Sequence, residues 1–282
     1  MFRSPRLRAS LGPVFSTEFT RTGLRLSFAD GSLVELCLDS GAIRSGRRRR
    51  AISEAELELL AGSPLRLFEL ARELTEILPL RLGQASKAER GYALASGLPP
   101  RPVKAAPLEL DPQDSVAAAF STIVRSCMAH LQANETGFLA GRDLEYLHQL
   151  RVALRRMRAC FSLFKLELPQ PVFAPIKSAM QDRNIALGKA RDWDVFVHEM
   201  LRPLRAQRAD EAEILAFQRR CFRLGRAHLR IAQGEVAAAA WQRLWLDLGQ
   251  LLAAGTWMQG HPQLALPLGG FVRGLLQQRA AA

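Results

Sequence analysis

The stretch His148-Gln149-Leu150-Arg151-Val152-Ala153-Leu154-Arg155-Arg156-Met157-Arg158 decides how the chain is read. At about 100° per residue of an α-helix, His148, Arg151, Arg155 and Arg158 fall within about an 80° sector. Leu150, Leu154, Met157, Phe161 and Phe164 cluster about a third of a turn away. One side of such a helix buries itself while its neighbour presents a column of cations. Guanidiniums are permanently charged and fork-shaped, which suits them to bidentate contacts with phosphate oxygens. A solvated charged face is the plain alternative; a histidine in register with three arginines and no interleaved acid weighs against it.

Outward from this helix the pattern stays helical from about Gln113 on, with segments expected near 113–134, 142–166, 172–190, 191–206, 209–232 and 235–254. Asp210, Glu211 and Glu213 suit the dipole at the start of the fifth. Along that segment Arg219, Arg223, Arg226 and Arg230 form a second column within about 60°. Like charges at i,i+4 cost a few tenths of a kcal/mol per pair, so such a column persists where anions or acids of adjacent helices offset it. Trp193, Trp241, Trp245 and Trp257 sit in apolar helical patterns and read as core. Gly255, Gly260 with Pro262, Pro267 and Gly269-Gly270 break up the tail.

Upstream the period changes from 3.6 to 2. Phe15–Phe19 and Leu24–Phe28 alternate, Asp30-Gly31 is a hairpin turn, and Ser32–Asp39 follows as a strand. A second turn is expected at Asp39-Ser40-Gly41, then a short strand and the basic loop Arg47–Arg50. Ala51–Leu60 forms another strand with Glu54, Glu56 and Glu58 on one face. Ser63 and Pro64 open an amphipathic helix to about Leu78. Gly97-Leu98-Pro99-Pro100-Arg101-Pro102 is a stiff, extended linker by composition. The domains are therefore drawn at 1–96 and 113–282, with 97–112 as the Pro-rich linker.

The 282 residues are 48% hydrophobic and 23% charged, enough to bury a real core. The net charge of +12 sits mainly in residues 113–282 and is nearly all arginine. Such a balance predicts an anionic partner: polyphosphate, nucleic acid or acidic lipid headgroups. Cys37, Cys127, Cys160 and Cys221 are far apart and lack metal-ligand spacing, so they read as small core residues in a reducing compartment. Met1–Ser10 has arginines but no apolar run behind them, and no stretch approaches 18 apolar residues. A cytoplasmic protein without a membrane span is expected.

Two resemblances give these patterns names. HQLRVALRRMRA from His148, followed by LGKARDWDVF at 187–196, resembles the CHAD family, the conserved histidine α-helical domain. The resemblance implies a helical bundle whose basic surface binds inorganic polyphosphate. The two arginine columns, with Arg191 added by the resemblance, give a candidate polyphosphate-binding set of His148, Arg151, Arg155, Arg156, Arg158, Lys165, Lys177, Arg191, Arg219, Arg223, Arg226 and Arg230. Asp192 and Asp194 read as caps or salt-bridge partners that fix arginines rather than as metal ligands. LVELCLD at 33–39, ISEAELEL at 52–59 and SKAERGY at 86–92 resemble the C-terminal half of a CYTH domain, a triphosphate tunnel enzyme often placed ahead of a CHAD domain. That resemblance implies Mg²⁺ or Mn²⁺ on Glu54, Glu56 and Glu58, tunnel bases at Arg21, Arg25 and Lys87, and Asp39 as an inward-pointing acid.

The departures matter as much. A CYTH domain opens with a Glu-x-Glu-x-Lys strand, whereas residues 1–53 hold only Glu18 and Glu35 as glutamates. A half-barrel leaves open sheet edges that must be paired, covered or dimerised, so a homo-oligomer through that edge is expected. The second His/Arg-rich helix of the CHAD family finds no counterpart after Ala254, and the bundle reads as C-terminally short. The expected fold class is α+β, an antiparallel β half-barrel followed by an all-α bundle. The expected function is polyphosphate binding, with the triphosphatase part inactive. A metal-dependent inorganic triphosphatase is the alternative and nucleic-acid binding a second one. The last is disfavoured because the basic helices lack interleaved exposed aromatics for base stacking.

Overall fold

A computed structural model describes residues 12–141, 143–203 and 212–280. The Met1–Ser10 segment, and Asp210 and Glu211 before the fifth helix, lie outside them. The architecture is α+β: a three-stranded antiparallel sheet in the order β1-β2-β3, followed by helices. The chain divides into two units, Met1–Ala71 with Gly83–Pro100, and Arg72–Leu82 with Arg101–Ala282.

In the first unit, β1 (Ser16–Ser27), β2 (Leu33–Ser45) and β3 (Arg48–Ala61) form one meander. The two short strands expected at 15–19 and 24–28 are one, because β1 pairs with β2 without a break from Ser16↔Arg44 to Ser27↔Leu33. The turn expected at Asp39-Ser40-Gly41 does not exist. There β2 runs on, and the chain reverses at Gly46, whose φ of 55° is left-handed. Gly41 is required by packing instead: a Cβ would lie 2.1 Å from the Glu18 carbonyl and 2.6 Å from the Phe19 Cβ. Glycine thus looked like a turn signal but marks close strand approach.

Two helices follow, α1 (Leu65–Ile77) and α2 (Lys87–Ser96). The Ser63 hydroxyl accepts from the Leu65 amide at 3.3 Å, as expected for an opening cap. A capping box of Ser86 and Glu89 opens α2, and Gly97 closes it in the left-handed conformation. Arg48 of β3 donates to the last carbonyls of α2, Leu94 at 3.1 Å and Ala95 at 3.2 Å. Gly91 lies beneath the Phe15 ring, where a Cβ would come within 2.4 Å. These contacts hold α2 on the sheet face that carries Asp39, Glu54 and Glu56.

The second unit is helical: α3 (Val116–Leu139), α4 (Glu145–Leu163), α5 (Gln170–Val195), α6 (Ala212–Ala237), α7 (Ala239–Ala254) and α8 (Leu268–Ala280). The two helices expected at 172–190 and 191–206 are one, α5, continued by a π-helical turn at Phe196–Leu201. The tail is a helix too, since Gly269-Gly270 lie inside α8. The larger core cluster gathers around Phe120, whose ring meets Phe161, Phe164, Phe173 and Trp257 at 5.4–5.6 Å, and a smaller one holds Val197, Leu201 and Cys221. Trp241, Trp245 and Trp257 are buried as expected, whereas Trp193 is half-buried and stacks on His228 of α6. All four cysteines are buried free thiols. Beyond the Pro-rich stretch, Val103 is pinned to α3: its amide donates to Asn134 Oδ1, and its carbonyl accepts from Asn134 Nδ2, both at 2.9 Å. The Glu135 carboxylate accepts from Trp241 and Gln242 inside the bundle, and burial pushes its pKa up.

Candidate functional site

Pleating places Arg21, Asp39 and Glu54 in one cross-strand row, Cys37 and Glu56 in the next, and Arg25, Glu35 and Glu58 in a third. All point to one face of the sheet, so Glu54, Glu56 and Glu58 do share a face. The structure gathers only two of them. The carboxylates of Asp39, Glu54 and Glu56 lie within 4.8 Å of one another, and Glu58 is not in that group. Arg25 is likewise apart, since its guanidinium faces Glu35 at 3.4 Å.

The centre of the acidic group is filled. The Lys87 ammonium, delivered by the first residue of α2, lies 2.6 Å from Asp39, 2.6 Å from Glu54 and 2.6 Å from Glu56. Arg21 holds Asp39 by two hydrogen bonds of 2.7 Å and also reaches Glu56, while Arg90 reaches Glu54. Three carboxylates therefore meet three cations and the network closes on itself. Arg90 was not singled out from sequence. Its signal was the spacing Lys87-x-x-Arg90, which puts both on one side of α2. Oxygen donors of this kind suit Mg²⁺ or Mn²⁺. A divalent ion does not fit beside the ammonium, because the three oxygens that would hold it already surround Nζ.

The shifts follow from this geometry. The Arg21 and Lys87 cations hold the fully buried Asp39 carboxyl down at about 2. Lys87 also lowers Glu56. Burial works against the Lys87 charge, but the three carboxylates outweigh it and its pKa is raised. A depressed carboxyl contributes stability above its unfolded pKa and loses it as pH falls through the folded one. For Asp39 this window runs from about pH 4 to about pH 2, and the contribution is about 2 kcal/mol. The stability gap between the parent chain and Asp39→Asn is therefore expected to be full at pH 6 and to shrink below pH 4. Urea unfolding at stepped pH measures it. A constant gap from pH 6 to pH 2.5 contradicts the assignment.

In the helical unit, His148 is half-buried on α4, and Arg155 and Arg158 are exposed. Arg151 reaches across to α5, with its guanidinium 4.0 Å from where a Gly188 Cβ would sit and 3.4 Å from Asp192. From the other side α6 packs on the same end of α5. There Gly225 faces Trp193, a Cβ at Gly225 lying 3.7 Å from the Trp193 Cβ, and Trp193 stacks on His228 at 6.0 Å. The LGKARDWD segment thus lies between the two arginine-bearing helices. Asp194 is buried and takes Arg191 and His198, so Asp192 and Asp194 both act as partners that fix basic side chains. Arg191 also meets Glu199 at 3.6 Å.

On α6 the residues Arg219, Arg223, Arg226 and Arg230 are all exposed. Arg219 and Arg230 lie along their own helix, donating to the carbonyls of Leu215 and Arg226. Arg219, Arg223 and Arg226 line an open cleft of about 660 Å³ with Ala216 and Phe222. Among the described residues, Arg155, Arg158, Arg219, Arg223, Arg226 and Arg230 have no carboxylate partner. Lys165 is exposed and Lys177 half-buried. Arg156 stands apart from the α4 column. It is half-buried against α3, one guanidinium nitrogen is shut off from solvent, and it lines a different cleft with Ile123, Cys160 and Leu163.

A basic helical bundle preceded by an antiparallel sheet unit is the class that this geometry defines. Residues 122–282 match the CHAD domain family and residues 1–92 the CYTH domain family. The chain belongs to the CHAD domain family. It is similar to the CHAD domain of the plant Ricinus communis in its crystal structure, with a TM-score of 0.54 and 29% identity, covering 63% of this chain and 57% of that one. It is 39% identical over 88 residues to the inorganic triphosphatase of Haemophilus influenzae, 31% of this chain and 25% of that protein. The chain thus spans about a quarter of that relative. The match at 1–92 is to the CYTH domain as such, not to its C-terminal half as read from sequence. No described helix is long and apolar enough to cross a membrane.

Proposed function

We propose that the chain binds inorganic polyphosphate along the arginine columns of α4 and α6. The observation that carries the reading is the set of six exposed arginines that have no carboxylate partner among the described residues, on two helices that flank the end of α5. A polyphosphate chain carries about one negative charge per unit and releases counterions on binding such a surface. His148 adds a hydrogen-bond donor. Arg191, tied to Asp194 and Glu199, positions the groove, whereas the long Arg151–Asp192 pair leaves Arg151 able to bind. The test is retention of long-chain polyphosphate by the full chain as salt is raised. Affinity is expected to fall steeply and linearly on a log–log plot, at a slope of several charges. A slope near zero removes the reading.

The remaining part of this proposal concerns residues 1–96, drawn as a domain joined through 97–112 to 113–282. In this reading they form a CYTH-like unit that does not turn over triphosphate. What supports it is the closed network around Lys87, which leaves neither the acids free for a metal nor the bases free for a phosphate. Hydrolysis needs metal-holding acids and charge-neutralising bases that are both available to the substrate. Phosphate release from tripolyphosphate with Mg²⁺ or Mn²⁺ is expected to be indistinguishable between the parent chain and Glu56→Gln. Robust turnover lost in Glu56→Gln establishes the alternative, a metal-dependent inorganic triphosphatase of the kind named for the Haemophilus influenzae relative.

A further inference from the structure

The outer side of α6 carries more than arginines. Gln218, Cys221, Ala232 and Val236 face the protein interior. Phe217, Leu224 and Ile231 do not: they are 51%, 40% and 55% exposed. Their seven-residue spacing keeps them within about 40° of one another on the helix, a single apolar row one side chain wide. Arg223 and Arg230 directly precede Leu224 and Ile231 and so flank the row, about 100° around the helix. Between the two rows sit the exposed Arg220, Ala227 and Gly234, and a Cβ at Gly234 would meet nothing within 4 Å. The surface is thus apolar on one side and cationic on the other, with Arg220 adding to the cationic side and a low strip at Ala227 and Gly234.

We propose that this face of α6 docks an amphipathic helix of a partner protein, with apolar residues on a seven-residue repeat and acidic residues along one flank. The repeat identifies a helix as the occupant, because a row of side chains at every seventh position is the seam against which another helix packs. The flanking arginines identify its charge, since they lack carboxylate partners among the described residues and sit where a two-helix packing places interhelical ion pairs. A second copy of the chain is disfavoured, because pairing α6 with itself sets arginine columns against one another. A bilayer is disfavoured as well, since insertion takes an apolar face wider than about 100° and this row spans about 40°.

The probe is a fluorescent synthetic helix with leucine on a seven-residue seam and glutamate on its flanks, titrated with the full chain. Saturable binding is expected. Leu224→Ser with Ile231→Ser should weaken it at least tenfold while leaving polyphosphate retention in place, which separates this surface from the arginine groove. Ala227→Glu, at an exposed helical position, should weaken it to the same extent by repelling the glutamates. Arg223→Glu with Arg230→Glu should also abolish binding, and the same peptide with lysine flanks should then bind that variant and not the parent. Absence of peptide binding, or binding indifferent to the charge reversal, overturns the proposal. So does uptake by phosphatidylglycerol vesicles or self-association in sedimentation that Leu224→Ser with Ile231→Ser abolishes while peptide binding persists.

Discussion

Replacing Arg151, Arg155 and Arg158 together by alanine is expected to weaken polyphosphate binding by several kcal/mol, at about 1.5–3 kcal/mol per charged hydrogen bond before non-additivity. The loss falls on binding and not on the fold. Arg155 and Arg158 are exposed, and the Arg151–Asp192 pair is long and open to solvent, a type that contributes about 0–1 kcal/mol. Leu150, Leu154 and Met157, which anchor α4 in the core, stay in place. Far-UV circular dichroism and the melting temperature check the fold, and competition for labelled polyphosphate at fixed salt measures affinity. Unchanged affinity in a folded triple variant sinks the α4 assignment. Arg156→Ala alone is the informative contrast, since Arg156 lies off the column and its loss should leave affinity near the parent value.

Lys87→Met is the second large effect. Removing the ammonium leaves Asp39, Glu54 and Glu56 facing one another with only Arg21 and Arg90 to offset them. Breaking one partner out of a buried ionic cluster costs about 3–5 kcal/mol, and the cost here lies at or below the lower figure because Glu56 is half-exposed. The same variant should gain a property that the parent lacks. With the centre vacated, the three carboxylates form an oxygen site for a divalent cation, and millimolar Mn²⁺ should restore part of the lost stability. The parent should show no such response. Thermal unfolding of both chains with and without Mn²⁺ measures the two effects together. An equal Mn²⁺ response in both would mean that the ammonium does not block the site.

Periodicity settled the classes of element on both sides of the Pro-rich stretch. Strand reading failed at Asp39-Ser40-Gly41 because a local signal was mistaken for its cause: the triplet has turn composition, yet Gly41 is small because Phe19 of the neighbouring strand lies against it. Whether a glycine serves a turn or a close approach depends on a partner far along the chain. The helix boundary missed near 190 has the same origin, since α5 runs through to Val195 and into the π-helical turn, where Val197 and Leu201 pack with Cys221 of α6.

The amino-acid sequence by itself determined which residues are charged and on which helical face they stand. The columns on α4 and α6, the acidic side of β3 and the buried faces follow from residue spacing alone, because helical and pleated geometry fix side-chain direction. Tertiary structure decided which of those charges are available. It brought Lys87, Arg21 and Arg90 onto Asp39, Glu54 and Glu56 and closed that site, left Glu58 and Arg25 outside it, and set Arg156 in a separate cleft beside α3. Ion pairing depends on distances between segments far apart in the chain. Spacing along one element carries no record of them.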